Sequence, residues 1–112
     1  MNDTVMGGFR ALDLTDERGI FCGKMLADMG VDTIKIERPG GDALRDIPPF
    51  FQNIPDRNKN LNWFAFNTNK RGVTLDLEKE RGREIFRELV KKADFLIESY
   101  EPGHMSKLGL GY

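Results

Sequence analysis

Asp28-Met29-Gly30-Val31-Asp32-Thr33-Ile34-Lys35-Ile36-Glu37-Arg38-Pro39-Gly40-Gly41-Asp42 is the stretch that decides the fold. It reads as the end of a helix, a Gly cap, a short apolar strand, and a basic residue just beyond the strand's carboxyl end. In an open α/β sheet, ligands bind outside the carboxyl ends of the strands. Arg38 therefore stands where a phosphate or carboxylate is read, and Pro39-Gly40-Gly41 makes a turn that lets a ligand approach.

Upstream, Phe9 to Leu14 alternates loosely and reads as a first strand, with Thr15 or Asp16 placed to cap a helix. Cys22, Met25, Leu26 and Met29 fall at i, i+3, i+4 and i+7, which predicts one buried helical stripe ending at Gly30. Val31 to Ile36 is the second strand, and the strand-helix-strand unit implies a parallel pair with a right-handed crossover.

From Gly40 to Asn60 the rhythm breaks, with Pro48-Pro49 and Pro55 among several Asn and Asp. So long an excursion inside a compact domain is usually functional or mobile. Leu61 to Phe66, with Trp63, Phe64 and Phe66, reads as an aromatic anchor that docks it back on the core. Val73 to Leu77 alternates as a third strand. Ile85, Phe86, Leu89, Val90 and Ala93 mark a helix that starts near Glu80, and Asp94 to Ser99 is a fourth strand. A turn at Tyr100-Glu101-Pro102-Gly103 leads into one short helical turn, His104 to Leu108. The fold class is α/β, half of a doubly wound, mostly parallel Rossmann-like sheet.

At 112 residues the chain holds one domain at most. Its 17 basic and 18 acidic side chains are interspersed for a net charge of −1, so there is no basic face for nucleic acid. No apolar run is long enough for a membrane span, and no secretion signal opens the chain, so a cytoplasmic location is expected. One Cys forbids an internal disulfide, and one Cys with one His argues against any zinc cluster, so no metal site is assigned.

Glu37 sits where a dinucleotide fold places its ribose-reading acid. Such a fold also needs bare glycine backbone at the first strand-to-helix turn, so that pyrophosphate can meet the helix N-terminus. Here the turn is Thr15-Asp16-Glu17-Arg18-Gly19, whose two carboxylates repel pyrophosphate, and a dinucleotide site is not expected.

Several segments, in order, follow a different pattern: Asp13-Leu14-Thr15, Leu26-Ala27-Asp28-Met29-Gly30-Val31, Ile34-Lys35-Ile36-Glu37-Arg38-Pro39-Gly40 with Gly41-Asp42, Asn67-Thr68-Asn69-Lys70-Arg71 leading to Leu75-Asp76-Leu77, and Ala93-Asp94-Phe95-Leu96-Ile97-Glu98 with Pro102-Gly103. The ordered set resembles the N-terminal portion of the class III coenzyme A-transferases, the formyl-CoA and carnitine CoA-transferase type, across nearly the whole chain. Two stretches depart from that family. Its first loop is usually of Gln-Ala-Gly-Pro type, whereas this chain has Asp16-Glu17-Arg18-Gly19 and is one residue shorter. Its fourth-strand turn is usually Glu-Asn-Phe-x-Pro-Gly, against Glu98-Ser99-Tyr100-Glu101-Pro102-Gly103 here. An Arg common in the final helix corresponds to Lys107, which keeps the charge without the bidentate fork.

The resemblance implies that residues 1–112 are the CoA-binding portion of a larger domain, with coenzyme A or acyl-CoA as substrate and no permanently bound cofactor. The parent would move CoA from an acyl-CoA donor to a carboxylic acid acceptor. The candidate CoA-binding residues are Arg38, Lys70 and Lys107 for the phosphates and Tyr100 as a flat wall, all expected near one sheet edge. For Lys70 and Lys107 a solvated turn charge stays the alternative. The resemblance also places the nucleophilic Asp in a segment beyond Tyr112, so no catalytic residue is assigned and this chain by itself is expected to be inactive. Asp13, Asp28, Asp76 and Asp94 read as strand-flanking or capping acids, Cys22 as core, and His104 as a surface or cap residue. A homodimeric parent is implied, and self-association is expected of the isolated chain, through Trp63-Phe64-Phe66 and Leu108 to Tyr112. The rival readings are a non-catalytic CoA- or nucleotide-binding or scaffolding module, and a fragment of an acyl-CoA racemase.

Overall fold

The computed structural model describes residues 5–111. Four strands form one all-parallel sheet in the order β3-β2-β1-β4, where β1 is Arg10–Leu14, β2 Asp32–Glu37, β3 Arg71–Thr74 and β4 Phe95–Glu98. Helix α1 (Ile20–Asp28) joins β1 to β2, and α3 (Glu80–Lys91) joins β3 to β4. Between β2 and β3 lie three 3-10 turns and the helix α2 (Leu61–Asn67), and a single-turn helix α4 (His104–Lys107) follows β4.

The expected α/β architecture holds, and the third strand shows where alternation misleads. Pairing with β2 starts at Arg71, opposite Ile34, and ends at Thr74, opposite Glu37. Leu75, whose amide makes the last bond to β2 at the Glu37 carbonyl (2.9 Å), and Leu77 beyond it keep the alternating pattern because both are buried in the core.

Leu12, Leu14, Ile34 and Ile36 occupy one sheet face and pack with Leu75, Leu77 and Phe86 of α3. The opposite face is polar. Ala11 and Asp13 lie opposite Thr33 and Lys35, and all four are buried beneath α1. This changes which side of α1 faces inward. The buried residues are Ile20, Gly23 and Ala27, not the stripe through Cys22, Met25, Leu26 and Met29. Cys22 and Met25 are exposed, so Cys22 is not a core residue. The cause is close approach: a Cβ on Gly23 would lie 2.1 Å from Asp13 Oδ2. Only the smallest side chain fits over the long polar groups of the sheet.

The aromatic anchor is a helix. The Asn60 side chain caps α2 by accepting from Trp63 N at 2.8 Å. Its amide nitrogen donates to the carbonyls of Leu44 (2.8 Å) and Ile47 (2.6 Å), tying the excursion to α2. Trp63 stacks under the Arg45 guanidinium, 4.0 Å from the ring centroid. Phe66 meets Phe21 of α1 edge to face at 6.0 Å. Phe64, Phe21 and Met25 remain exposed on this side, while Leu108 and Leu110 are half-buried and Tyr112 lies outside the described residues.

Asn60 is fully buried, so Asn60→Ala removes a cap and the side-chain bonds to two carbonyls at once, leaving the Leu44 carbonyl only its bond from Ile47 N. Its expected cost is about 2 to 4 kcal/mol of unfolding free energy by urea denaturation. A loss below about 0.5 kcal/mol, the level of a neutral surface change, would contradict this role.

Candidate functional site

Because all four strands run the same way, their carboxyl ends share one edge. The chain steps from β1 through β2 to β3 on one side, then returns to place β4 on the other side of β1. That reversal leaves a crevice at the strand ends, the usual ligand position in such sheets. Two adjoining hollows occupy it, sharing Ile36, Arg38 and Tyr100. Thr15, Asp16, Glu17 and Asp42 line one of them. Asp76, Glu78 and His104 line the other. A separate apolar hollow between α3, β4 and residues 109–111 has Arg87 as its sole charged lining residue, so it lacks convergent polar groups to orient a ligand.

Arg38 and Tyr100 come together as the sequence predicts. Arg38 is exposed at the end of β2, where its Nε donates to the Gly41 carbonyl at 3.1 Å, and it makes no ion pair among the described residues. The Tyr100 ring packs against His104, with centroids 4.5 Å apart and planes tilted by 33°. Burial, and then the carboxylates of Asp42, Glu98 and Asp16, push the Tyr100 phenol above its usual value against the pull of Arg38.

His104 is the residue that sequence reasoning missed. The turn with Gly103 at φ +88° brings it back over Tyr100. A signal existed, since a Pro-Gly turn between an aromatic and a His four residues on folds one ring toward the other. Lys107 is exposed in the last turn of α4 and lines neither hollow.

Lys70 is not beside Arg38. Its ammonium is buried under α1, 2.7 Å from Asp13 Oδ2, and donates to Asn67 Oδ1 (2.9 Å) and the Ile20 carbonyl (3.3 Å). Lys35 Nζ lies 3.5 Å from Asp13 Oδ1 and donates to the Thr15 carbonyl. The same Asp13 oxygen accepts from Thr15 N at 2.9 Å and Thr15 Oγ1 at 2.6 Å. Burial would raise the Asp13 carboxyl, but the Lys35 charge and the bonds from Lys70 and Thr15 outweigh it and hold the carboxyl below its usual value. Burial lowers Lys70 in turn, against the pull of Asp13. Lys70 thus supports the crevice from below, through Asp13 and Thr15, rather than facing it.

Glu37 accepts from Arg45 Nε (2.6 Å), Arg45 Nη2 (3.0 Å) and Asp42 N (2.7 Å), which commits both its oxygens within the protein. At the rim, Asp16 is drawn down to about 2, chiefly by hydrogen bonds from Arg18. Glu17, Asp42, Asp76 and Glu78 have no ion-pair partner among the described residues. The crevice therefore offers one arginine amid several carboxylates.

A family model described as CoA-transferase family III matches residues 6–112. Succinyl-CoA:(R)-benzylsuccinate CoA-transferase subunit BbsE of Thauera aromatica is 46% identical over 104 residues, covering 93% of this chain and 25% of that protein. Formyl-CoA:oxalate CoA-transferase of Bradyrhizobium diazoefficiens is 41% identical over 104 residues, covering 91% and 24% respectively. Among solved structures, the hypothetical protein Rv3272 of Mycobacterium tuberculosis superposes with a TM-score of 0.85 at 35% identity, over 100% of this chain and 30% of that one. A CAIB/BAIF family protein from Brucella suis gives a TM-score of 0.85 at 36% identity, over 97% and 29%. The chain spans about a quarter of the length of the curated relatives it matches.

Proposed function

The chain belongs to CoA-transferase family III, and on that premise we propose that it is the CoA-binding N-terminal portion of an enzyme that moves CoA from an acyl-CoA donor to a carboxylic acid. The observation that carries this reading is the meeting of Arg38 and Tyr100 at the strand-reversal crevice. Arg38 presents its guanidinium to a phosphate of CoA, for which a planar fork suits better than an ammonium. Tyr100 and His104 offer a ring surface for the flat or apolar parts of the molecule.

The strand order matches the first four strands of a 3-2-1-4-5-6 Rossmann-type sheet, which supports reading residues 1–112 as an incomplete large domain. The crevice charges point the same way. Several carboxylates around one arginine oppose a polyanion, so the remaining phosphate contacts belong to other parts of the enzyme. We place the enzyme in the cytoplasm as a dimer. No helix among the described residues is long and apolar enough to cross a membrane.

The test is Arg38→Ala in the full-length enzyme, with CoA affinity measured by calorimetry. The expected loss is about 1.5 to 3 kcal/mol, the range for a charge-assisted hydrogen bond. Unchanged affinity would remove the residue on which this reading rests.

A further inference from the structure

The two stretches at which this chain departs from the family pattern, Asp16 to Gly19 and Glu98 to Gly103, touch each other beside the crevice. Ser99 Oγ accepts from Asp16 N at 2.9 Å and donates to Asp16 Oδ1 at 2.8 Å. Arg18 spans both sides. Its Nε reaches Asp16 Oδ2 at 3.0 Å, and its Nη2 reaches Asp16 Oδ2 at 2.8 Å and the Ser99 carbonyl at 2.6 Å. Its Nη1 donates to Glu101 Oε1 at 3.1 Å. The packing is close as well, since a Cβ on Gly19 would lie 3.4 Å from Ser99 Cβ.

Ser99 and Glu101 flank Tyr100, and Arg18 holds both. The Tyr100 amide is fixed separately by Glu98 Oε2 at 2.8 Å. We propose that Arg18 is a positioning residue: it clasps the first loop to the fourth-strand turn and so sets Tyr100 as the crevice wall. This rests on the reading of the crevice as a CoA site. Arg18 is half exposed, so its ion pairs add little to stability, and what the clasp supplies is geometry. Three nitrogens of one planar group act at once, which an ammonium does not reproduce. The Arg18 side chain thereby serves the turn rather than the ligand.

Coenzyme A titrated into the isotope-labelled chain, followed by NMR at Arg38, Tyr100 and His104, tests this. Arg18→Ala and Arg18→Lys are both expected to weaken binding roughly three- to tenfold, and neither should do so further in a Tyr100→Leu background, because coupled neighbours are non-additive. Without ligand, both variants should alter the ring-current shifts between Tyr100 and His104. Full rescue by Arg18→Lys would show that charge alone matters and overturn the proposal. An equal loss in the Tyr100→Leu background would overturn it too, by showing a general structural effect. If the unaltered chain shows no response even at CoA concentrations of about 10 mM, well above the weak affinity expected of it, the crevice reading fails instead. The clasp is then decided by the ligand-free ring-current shifts, whose constancy in Arg18→Ala would overturn it.

Discussion

Asp13→Asn is expected to lower the unfolding free energy by about 3 to 5 kcal/mol, the cost of breaking a buried ion pair by removing one partner. Asp13 is completely buried, and the side chains of Lys35 and Lys70 are nearly so. Two ammonium groups share one carboxylate. Removing it leaves both cations without a counterion in a buried layer beneath Gly23. A loss of that size is a large fraction of the roughly 5 to 15 kcal/mol that usually holds a domain folded. Urea denaturation at pH 7 measures the loss. Asp32→Asn is the control, because Asp32 takes two part-exposed arginines at the amino edge of the sheet. Its cost should stay within about 1 kcal/mol. Equal losses would show that the buried cluster has no special weight.

The sign of the pH dependence follows from the same group. The folded Asp13 carboxyl titrates below its unfolded value, so its contribution is complete above that value and is lost as pH falls through the lower, folded one. The gap between the unaltered chain and Asp13→Asn should therefore narrow on acidification below about pH 4. Lys70 acts at the other end. Its folded value lies below the ordinary 10.5, so stability rises with pH between the two.

Alternation and helical spacing were enough to place four strands and the two main helices along the chain, although the ladder of the third strand starts two residues earlier than alternation indicates and α1 turns a different face inward. They were not enough to read the polar face. Lys35 stands between Ile34 and Ile36 and looks like the solvent-facing position of a half-exposed strand. In a parallel sheet covered on both sides there is no such face, and a lysine there needs a buried partner. The partner is Asp13, opposite it in the register of β1 and β2, and no pattern within one strand reveals that. The same cluster turned α1, since a helix over long polar groups packs through Gly23 and Ala27 rather than through Met25 and Met29. Arg38 was legible because a strand end followed by Pro-Gly-Gly fixes its place locally. Lys70 was not, because a four-residue turn can aim its last side chain outward or, as here, beneath the sheet toward Asp13.

The isolated chain is expected to transfer no CoA above background. Transfer through an acyl-enzyme needs a carboxylate that is ionised, oriented by neighbours and open to the thioester. Asp13, Asp16, Glu17 and Glu78 each fail one of these conditions, and Asp42 and Asp76 each have one oxygen committed to a turn. Asp13 is buried between two lysines, and Asp16 is bound to Arg18 and Ser99. Asp42 accepts from Leu44 N at 2.9 Å, and Asp76 from Glu78 N at 3.1 Å, so both serve turns. Glu17 and Glu78 are exposed at the rim, and no hydrogen bond to either side chain among the described residues orients it. Binding is also expected to be weak. One arginine amid several carboxylates should hold CoA no tighter than about 1 mM, which corresponds to about 4 kcal/mol. The assay pairs succinyl-CoA, formyl-CoA and longer acyl-CoA donors with mono- and dicarboxylate acceptors, using the full-length enzyme as positive control. Turnover by the chain itself that vanishes in Glu17→Gln, Glu78→Gln, Asp42→Asn or Asp76→Asn would identify a crevice acid as the nucleophile. In that outcome the crevice is a complete active site, and its charge pattern reflects catalysis rather than a missing remainder.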